Sequence, residues 1–159
     1  MERVVRELIE KGQTISTMES CTGGGIANAI TNIPDASRVI KFSAVTYSNE
    51  YKIKMGVDST LIDMYSVYSM AVAEDMAKKI SEFAESDYGV GVTGKLKKSD
   101  PDNPQGEDDV VFLSIYDSNE NMFYDTEVKL PYDDRAENKQ EIIDIFVEKF
   151  LEIIKKITK

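Results

Sequence analysis

The sequence predicts an α/β fold whose mixed, mostly parallel sheet is covered by helices on both faces. Strand-like apolar runs alternate with amphipathic helical patterns over residues 2–94. Two further strand-like runs follow residue 109, and the short polar turn between them predicts a hairpin. A long helical pattern then closes the chain. Because 159 residues suit one folding unit, residues 1–159 are expected to form a single domain.

The first half of the chain predicts helices and strands in alternation. Apolar residues at helical spacing indicate a helix over residues 2–11, which stops at Gly12. The pattern then predicts a strand at 14–18, a helix at 22–32, a strand of about eight residues centred on Ala44, a short helix that ends at Gly56 and a helical turn at 59–66.

The second half predicts a long helix, three strands and a final helix. Ser69 is expected to cap a helix that runs to about residue 86, with an apolar face formed by Ala73, Met76, Ala77, Ile80, Phe83 and Ala84. "YGVGVTG" indicates a strand, "DVVFLSIYD" a strand buried on both faces, and "NMFYDTEVKL" a half-exposed strand reached through a turn at 117–121. The final helix, about 135–157, carries Ile142, Ile143, Phe146, Phe150, Ile153, Ile154 and Ile157.

Residues 95–109 show no periodic pattern. This segment, "KLKKSDPDNPQGEDD", is polar, holds two of the four prolines and joins two predicted strands. Its length leaves two interpretations, a functional loop or lid and a disordered insertion. Part of it looks superficially like a calcium loop, but Pro104 takes the place of a third ligand and no glutamate closes the pattern, so no metal site is expected.

Composition excludes several kinds of site. Without any histidine, the chain cannot form a Ser-His-Asp triad, a Cys-His pair or a His-ligated metal site, and one cysteine excludes thiolate zinc clusters and an internal disulfide. A net charge of −10 argues against binding to a nucleic-acid backbone. No apolar run reaches the ~18 residues of a membrane span, and the charged start is unlike a signal peptide, so we expect a cytoplasmic protein without membrane contact.

The stretch "TISTMESCTGGGIANAI", residues 14–30, is the first candidate site. Ser20, Cys21 and Thr22 would lie at the carboxyl end of a strand, where open α/β sheets bind ligands. The glycines open the next helix, whose free N–H groups could hold a phosphate or an oxyanion. A structural alternative stays open, in which Ser20 or Thr22 only caps the helix. Cys21 could be a low-pKa nucleophile, but we favour its interpretation as a small buried hydrophobic residue.

The second candidate is "TYSNEYKIK", residues 46–54. Tyr47 and Ser48 would end a strand, and Lys52 would lie one turn into the following helix. If this strand neighbours the first, a desolvated Lys52 with a lowered pKa could act as a general base toward a serine hydroxyl. Lys54 would point elsewhere on the same helix. In the structural alternative both lysines are ordinary solvated residues.

Three segments resemble the C-terminal domain family of the competence/damage-inducible protein CinA: "TISTMESCTGGGIANAITNIPDAS", "AVTYSNEYKIKMGVD" and "GVGVTG". The likeness runs without gaps from about residue 3 to residue 94 and returns loosely in the final helix. It implies a three-layer α/β/α fold and commonly a homo-oligomer. Because family members include nicotinamide mononucleotide deamidases of NAD metabolism, it also implies a small mononucleotide substrate and a serine amidohydrolase that needs no metal or cofactor.

The resemblance implies roles for individual residues. Ser20 falls on the serine of "ESCTGG", and Lys52 and Tyr47 fall on the lysine and tyrosine of "TYSNE-x-K". Neutral Lys52 would take the proton of Ser20, which attacks the carboxamide carbon; the glycine turn would hold the oxyanion, and Lys52 or Tyr47 would protonate the leaving ammonia. The residues placed at the substrate are Glu19, Cys21, Thr22, Gly23, Gly24, Ser48, Asn49, Thr93, Gly94, Arg135 and Lys139.

The chain departs from the family pattern after "GVGVTG". Members usually continue with a second glycine-rich loop, "IAGPGGG", where this chain has the polar segment 95–109. Lys95, Lys97 or Lys98 could replace its phosphate contacts. Two arginines of the last helix appear as Arg135 and Lys139, and lysine lacks the bidentate fork of arginine. The departure keeps two other readings open: a member that binds a mononucleotide or a protein without turnover, and a hydrolase of another small amide or ester.

Overall fold

The computed structural model describes residues 1–156, which form five strands in one sheet, six α-helices and one 3-10 turn. The strands are β1 (Ile15–Glu19), β2 (Ile40–Val45), β3 (Tyr88–Gly94), β4 (Val110–Asp117) and β5 (Met122–Lys129). The helices are α1 (Glu2–Lys11), α2 (Gly25–Thr31), α3 (Asn49–Lys54), α4 (Ser59–Tyr65), α5 (Met70–Ala84) and α6 (Arg135–Lys156), and the 3-10 turn Ala36–Arg38 precedes β2.

The strands lie in the order β2-β1-β3-β4-β5. β1 runs parallel to both of its neighbours, whereas β3 with β4 and β4 with β5 are antiparallel, so among the described strands only β4 runs opposite to the rest. Parallel neighbours require crossover connections, and α2 and the α3–α5 segment supply them. The predicted α/β fold with a mixed sheet and a terminal hairpin is confirmed.

Helices cover both faces of the sheet and complete three layers. On one face, α1, α2 and α6 pack into a core that includes Leu8, Ile26 and Phe146. On the other face, α4 and α5 cover a smaller core that includes Met18 and Met76. Burial of apolar surface on both faces stabilises the sheet, and the parallel strands all end at one edge, next to the α2 and α3 N-termini.

Close packing of α5 on β3 depends on two glycines. A Cβ on Gly89 would overlap the carbonyl oxygen of Ala77, and a Cβ on Gly91 would overlap that of Ala73. The helix backbone therefore rests directly on the strand backbone. This contact holds β3 in place beside β1, at whose carboxyl end the glycine turn follows.

The start of α2 differs from the prediction. The helix begins at Gly25 rather than at residue 22, because residues 20–24 form a turn in which Gly23 and Gly24 have φ values of 60° and 87°. Residues other than glycine rarely adopt such positive φ values. The turn therefore stands apart from the helix as a separate element between β1 and α2.

The cap of α5 by Ser69 is confirmed, since its hydroxyl accepts the Val72 N–H. Phe83, by contrast, was predicted on the apolar face of α5 and is 62% exposed. Its ring packs against Phe42 of the edge strand β2, with 5.0 Å between ring centres, and Phe42 is itself 39% exposed. The pair lies at the edge of the sheet, where neither ring is fully covered. Ile157, predicted on the apolar face of the last helix, lies outside the described residues.

Candidate active site

Ser20 and Lys52 are in contact at the carboxyl end of the sheet. Ser20 follows the last residue of β1, and its N–H donates to the carbonyl oxygen of Val92 in β3 at 3.0 Å. Lys52 is only 1% exposed. Its Nζ lies 3.1 Å from the Ser20 Oγ and 2.7 Å from the carbonyl oxygen of Thr46. The structure therefore brings together the two residues of the predicted dyad.

Parallel pairing of β1 with β2 produces this contact. The N–H of Thr46 donates to the carbonyl oxygen of the last β1 residue at 2.9 Å, which extends the pairing beyond β2. The chain then enters α3, which Ser48 caps by accepting a backbone N–H with its hydroxyl. The following turn directs Lys52 inward, while Lys54 remains exposed, as the sequence predicted.

Burial changes the acid–base behaviour of Lys52. It lowers the pKa of this side chain from 10.5 to about 8, because weakly polar surroundings disfavour the ammonium form, while interaction with Cys21 raises it in part. In the ammonium form Lys52 donates to the Ser20 Oγ. In the neutral form the amine can accept the Ser20 O–H instead, which is the arrangement of a general base.

Glu19 holds the start of α2 rather than facing a ligand. Its carboxylate is fully buried and accepts the N–H groups of Ile26 at 2.8 Å and Ala27 at 3.0 Å, together with the hydroxyls of Thr22 and of another threonine on β1. The Glu19 carboxylate and the Thr22 hydroxyl bind each other, so the structure does not support a substrate contact by either side chain. The backbone N–H of Thr22 is not part of this contact. The alternative in which Ser20 or Thr22 caps α2 is wrong, because the buried carboxylate performs that task.

The glycine turn retains donors for an anion. The N–H groups of Gly23 and Gly25 donate to carbonyl oxygens inside the turn at 2.9 and 3.1 Å. Those of Cys21, Thr22 and Gly24 donate to no other residue in the described part of the chain. Backbone N–H groups beside a serine are suited to stabilise a developing oxyanion, and of these three residues Cys21 borders a cavity together with Ser20.

Cys21 lies beside the dyad with a protonated thiol. It is 3% exposed, and burial raises its pKa from 9.0 to about 12, with Lys52 lowering it in part. A thiolate is the reactive form of cysteine. The structure thus agrees with the interpretation of Cys21 as a small buried residue, although its side chain also borders the cavity described next.

Two adjoining cavities, of about 260 and 320 Å³, open over the dyad. Residues that border both are Ser20, Tyr47, Tyr68 and Asp100. The first cavity is also bordered by Cys21, Gly94, Lys95, Lys98 and Arg135. The second is also bordered by Ser48, Asn49, Lys52, Asp102 and Asn103. The first cavity is therefore rich in cationic side chains, and the second in carboxylates and amides.

The segment 95–109 forms a wall of both cavities. Its Lys95 is buried, and the Nζ donates to the carbonyl oxygens of Pro104 and Gly106 and to Asp108 Oδ1, at 3.4, 3.1 and 3.1 Å. Lys95 thereby ties the two limbs of the loop together, so a phosphate contact by Lys95 is not supported. The loop is folded over the site, as expected for a functional loop rather than a disordered insertion.

The other two lysines of this segment differ in position. Lys98 is exposed and borders the first cavity, whereas the Lys97 Nζ lies 3.6 Å from Asp133. Only Lys98 retains the placement expected for an anion contact. Among the three lysines proposed to replace the glycine-rich loop, the structure thus leaves one free to meet a ligand.

Arg135 and Lys139 reach the site from α6. Arg135 borders the first cavity, donates to the Tyr47 hydroxyl at 3.3 Å and also donates to two carbonyl oxygens at the start of the 95–109 loop. A Cβ on Gly23 would lie 3.4 Å from the Lys139 Nζ, which places this amine over the glycine turn. Arg135 therefore lies where an anionic group beside Ser20 could contact it, whereas Lys139 lies over the glycine turn and borders neither cavity.

Some predicted site residues do not border the two cavities, and some residues that do border them were not predicted. The hydroxyl of Thr93 is buried and donates at 2.9 Å to the carbonyl oxygen of Val67, which borders the second cavity, whereas Thr93 itself borders neither. Tyr68, Asp100 and Asn103 border the cavities without having been predicted. The unusual composition of the 95–109 segment could have indicated the last two, whereas Tyr68 follows α4 in a stretch without any distinguishing signal.

Residues 1–156 carry neither a membrane span nor a metal-binding cluster. No described helix is long and apolar enough to span a membrane. Likewise, within that range no three or more Cys, Asp or Glu side chains cluster in a way that could hold a metal ion.

Comparison with known proteins identifies relatives of this chain. The family model of the CinA C-terminal domain matches residues 1–156. A putative competence-damage inducible protein from Clostridium kluyveri is 42% identical over 122 residues, which is 76% of this chain and 30% of the relative. One from Caldanaerobacter subterraneus subsp. tengcongensis is 42% identical over 67% of this chain and 27% of its own length. The chain thus spans about 30% of the length of such relatives.

Solved structures share the fold. A CinA superfamily protein from Escherichia coli superposes with a TM-score of 0.85 at 22% identity, covering 96% of this chain and 87% of that one. The competence/damage inducible protein CihA from Agrobacterium tumefaciens gives 0.82 at 27% identity, covering 97% and 94%. From the family match over nearly its whole length, and from the agreement in fold, we conclude that this chain belongs to the CinA C-terminal domain family.

Proposed function

We propose that this protein is an amidohydrolase that deamidates nicotinamide mononucleotide to nicotinic acid mononucleotide and ammonia. The observation that carries the proposal is the 3.1 Å contact between the Ser20 Oγ and the Nζ of a buried lysine whose pKa is lowered. A serine paired with a neutral amine can attack a carboxamide without histidine, metal or cofactor. The named relatives supply family membership only, so the substrate is part of the proposal.

The first half of the reaction forms an acyl-enzyme. Neutral Lys52 takes the proton of Ser20 as the Oγ attacks the carboxamide carbon, and free N–H groups of the glycine turn stabilise the oxyanion. When the tetrahedral intermediate collapses, the Lys52 ammonium, or Tyr47, gives a proton to the leaving nitrogen. The C–N bond breaks, ammonia departs, and the acyl group remains on Ser20.

The second half returns the enzyme to its starting state. The Lys52 amine is neutral once its proton has passed to the leaving nitrogen, directly or through Tyr47, and it takes a proton from water, whose oxygen attacks the acyl carbon. Collapse of the second tetrahedral intermediate breaks the bond to the Ser20 Oγ, and Lys52 returns the proton to the serine. A carboxylic acid is released, so one water is consumed for each amide hydrolysed.

Ammonia release from nicotinamide mononucleotide tests this proposal directly. The unmodified protein should produce ammonia and nicotinic acid mononucleotide in equal amounts, and Ser20→Ala should abolish both. The matched control is Ser37→Ala, since Ser37 is an exposed serine on the 3-10 turn before β2. Equal loss in both variants, or full activity in Ser20→Ala, would contradict the proposal.

The charged loop favours a second candidate, which is binding of a mononucleotide or a protein partner without turnover. Residues 95–109 stand where family members usually carry glycines, and their Asp100 and Asn103 border the cavities above Ser20. If the unmodified protein binds nicotinamide mononucleotide in calorimetry yet releases no ammonia, this candidate replaces the first.

A further inference from the structure

The two cavities above the dyad differ in charge, and Asp100 stands at their junction. Lys98 and Arg135 border the first cavity, whereas Asp102 borders the second together with Asn49 and Asn103. Asp100 borders both, alongside Ser20. Lys52 also borders the second cavity, so a ligand that reaches Ser20 meets Lys98 and Arg135 on one side and the Asp100 carboxylate, beside the Lys52 amine, on the other.

Contacts within the loop hold the Asp100 carboxylate in place. Its Oδ2 accepts the Tyr68 hydroxyl at 2.6 Å and the Asn103 amide N–H at 2.9 Å, and its Oδ1 accepts the N–H of Asp102 at 3.0 Å. Asn103 in turn accepts an N–H from Asn49 of α3 at 2.9 Å. The loop is thus joined to the helix that carries Lys52, and these donors lower the pKa of Asp100, which keeps the carboxylate charged.

We propose that Asp100 is a specificity-determining residue that selects zwitterionic substrates, with a cationic ring beside the scissile amide and an anionic group toward Lys98 and Arg135. The inference rests on the proposed function, because it concerns the same site. A carboxylate attracts a fixed positive charge, and Tyr47 borders both cavities with an aromatic ring that can attract a cation. The Tyr68 ring already has the Lys95 Nζ 5.3 Å from its centre. A neutral ring of the same size would lose this attraction while keeping the anionic contact.

Binding of two forms of one ligand isolates the effect of ring charge. Nicotinamide mononucleotide has a pyridinium ring, and its reduced dihydropyridine form has a neutral ring with the same amide and phosphate. Dissociation constants measured by calorimetry in the Ser20→Ala background avoid any turnover. We expect the pyridinium form to bind ~10-fold tighter, as a partly solvated charge pair predicts. Asp100→Asn should reduce that ratio to about one.

Two further variants separate charge from structure. Asp100→Glu keeps the negative charge and should keep most of the preference. Glu107→Gln removes the same charge from an exposed position of the same loop that borders neither cavity with Ser20, and should leave the ratio unchanged. Equal weakening of both ligand forms by Asp100→Asn would mean that Asp100 only holds the loop, and would overturn the inference. An unchanged ratio, or no binding of either form to the parent, would overturn it too.

The binding ratio and the ammonia assay give separate results for the two proposals. A preference for the pyridinium form that disappears in Asp100→Asn, combined with no ammonia release by the unmodified protein, would support the role of Asp100 and reject the deamidase. Ammonia release without any preference for the pyridinium form would do the reverse.

Discussion

Replacing Lys52 by methionine removes the proposed base and keeps a side chain of similar length in an apolar position. Because Lys52 is buried and its Nζ contacts the Ser20 Oγ at 3.1 Å, no other amine can take over this contact without rearrangement. General-base catalysis contributes roughly 10²–10⁴-fold to rate. We therefore expect Lys52→Met to lower kcat/KM for amide hydrolysis by ~10³-fold or more.

The pH dependence of kcat/KM for the unmodified protein gives a more precise prediction. With a Lys52 pKa of about 8, the neutral fraction is about a tenth at pH 7 and about nine-tenths at pH 9. The value of kcat/KM should therefore rise ~10-fold over this range and level off above it. A lysine with the ordinary pKa of 10.5 would give a ~100-fold rise over the same range and no plateau below about pH 10.

Initial rates of ammonia release between pH 6 and 10 measure this profile, with Lys54→Met as the matched control. Lys54 is an exposed lysine of the same helix and should leave both rate and profile unchanged. A kcat/KM that keeps rising in proportion to hydroxide up to pH 10, or a Lys52→Met enzyme of normal rate, would refute the assignment of Lys52 as the base.

The free energy of unfolding should depend on pH through the titration of Lys52. The pKa of Lys52 in the folded protein lies below its value in the unfolded chain, so between about pH 8 and 10.5 the unfolded chain binds more protons. The unmodified protein should therefore gain stability relative to Lys52→Met as pH rises through this window, by up to ~3 kcal/mol. Urea unfolding of both proteins at several pH values measures the difference, and a constant difference would contradict the lowered pKa.

Three other substitutions test the surroundings of the dyad. Cys21→Ala should retain activity within ~3-fold, because burial keeps the thiol protonated and Ser20 supplies the nucleophile. Glu19→Gln should lower the free energy of unfolding by ~2 kcal/mol in urea titration, because an amide cannot accept all the hydrogen bonds that the buried carboxylate receives. Gly91→Ala should lower the Tm or prevent folding, because its Cβ would overlap the Ala73 carbonyl oxygen.

Each of these variants has its own check. If Cys21→Ala loses activity while Ser20→Ala keeps it, the nucleophile has been assigned to the wrong residue. Glu10→Gln, an exposed carboxylate change on α1, should leave stability unchanged, and an equal effect on both glutamates would reject the capping role. For the glycine variant, thermal unfolding followed by circular dichroism suffices, and an unaltered Tm would mean that α5 can move off β3 freely.

The local pattern of apolar and polar residues was enough to predict much of the fold from the sequence alone. Helical and strand periodicity reports which face of a segment is buried, so the order of elements, the hairpin and the Ser69 cap were predictable. The absence of histidine left lysine, tyrosine, aspartate and glutamate as possible bases for Ser20. The position of Lys52, one turn into the helix after a strand, was also readable, because a helix N-terminus follows a parallel strand in this class of fold.

Only the tertiary structure decided which polar side chains bind other groups of the protein and are therefore not available to a ligand. Glu19 looks like a site residue in the sequence, but the folded chain directs its carboxylate to α2, because the turn brings two unpaired N–H groups to it. Lys95 is likewise bound within its own loop, and Tyr68 and Asp100 meet only because β3, α4 and the 95–109 segment converge at one sheet edge. The periodicity of the sequence does not reveal such contacts, because they join residues far apart in the chain and depend on burial. Burial sets both the geometry of these contacts and the pKa of Lys52.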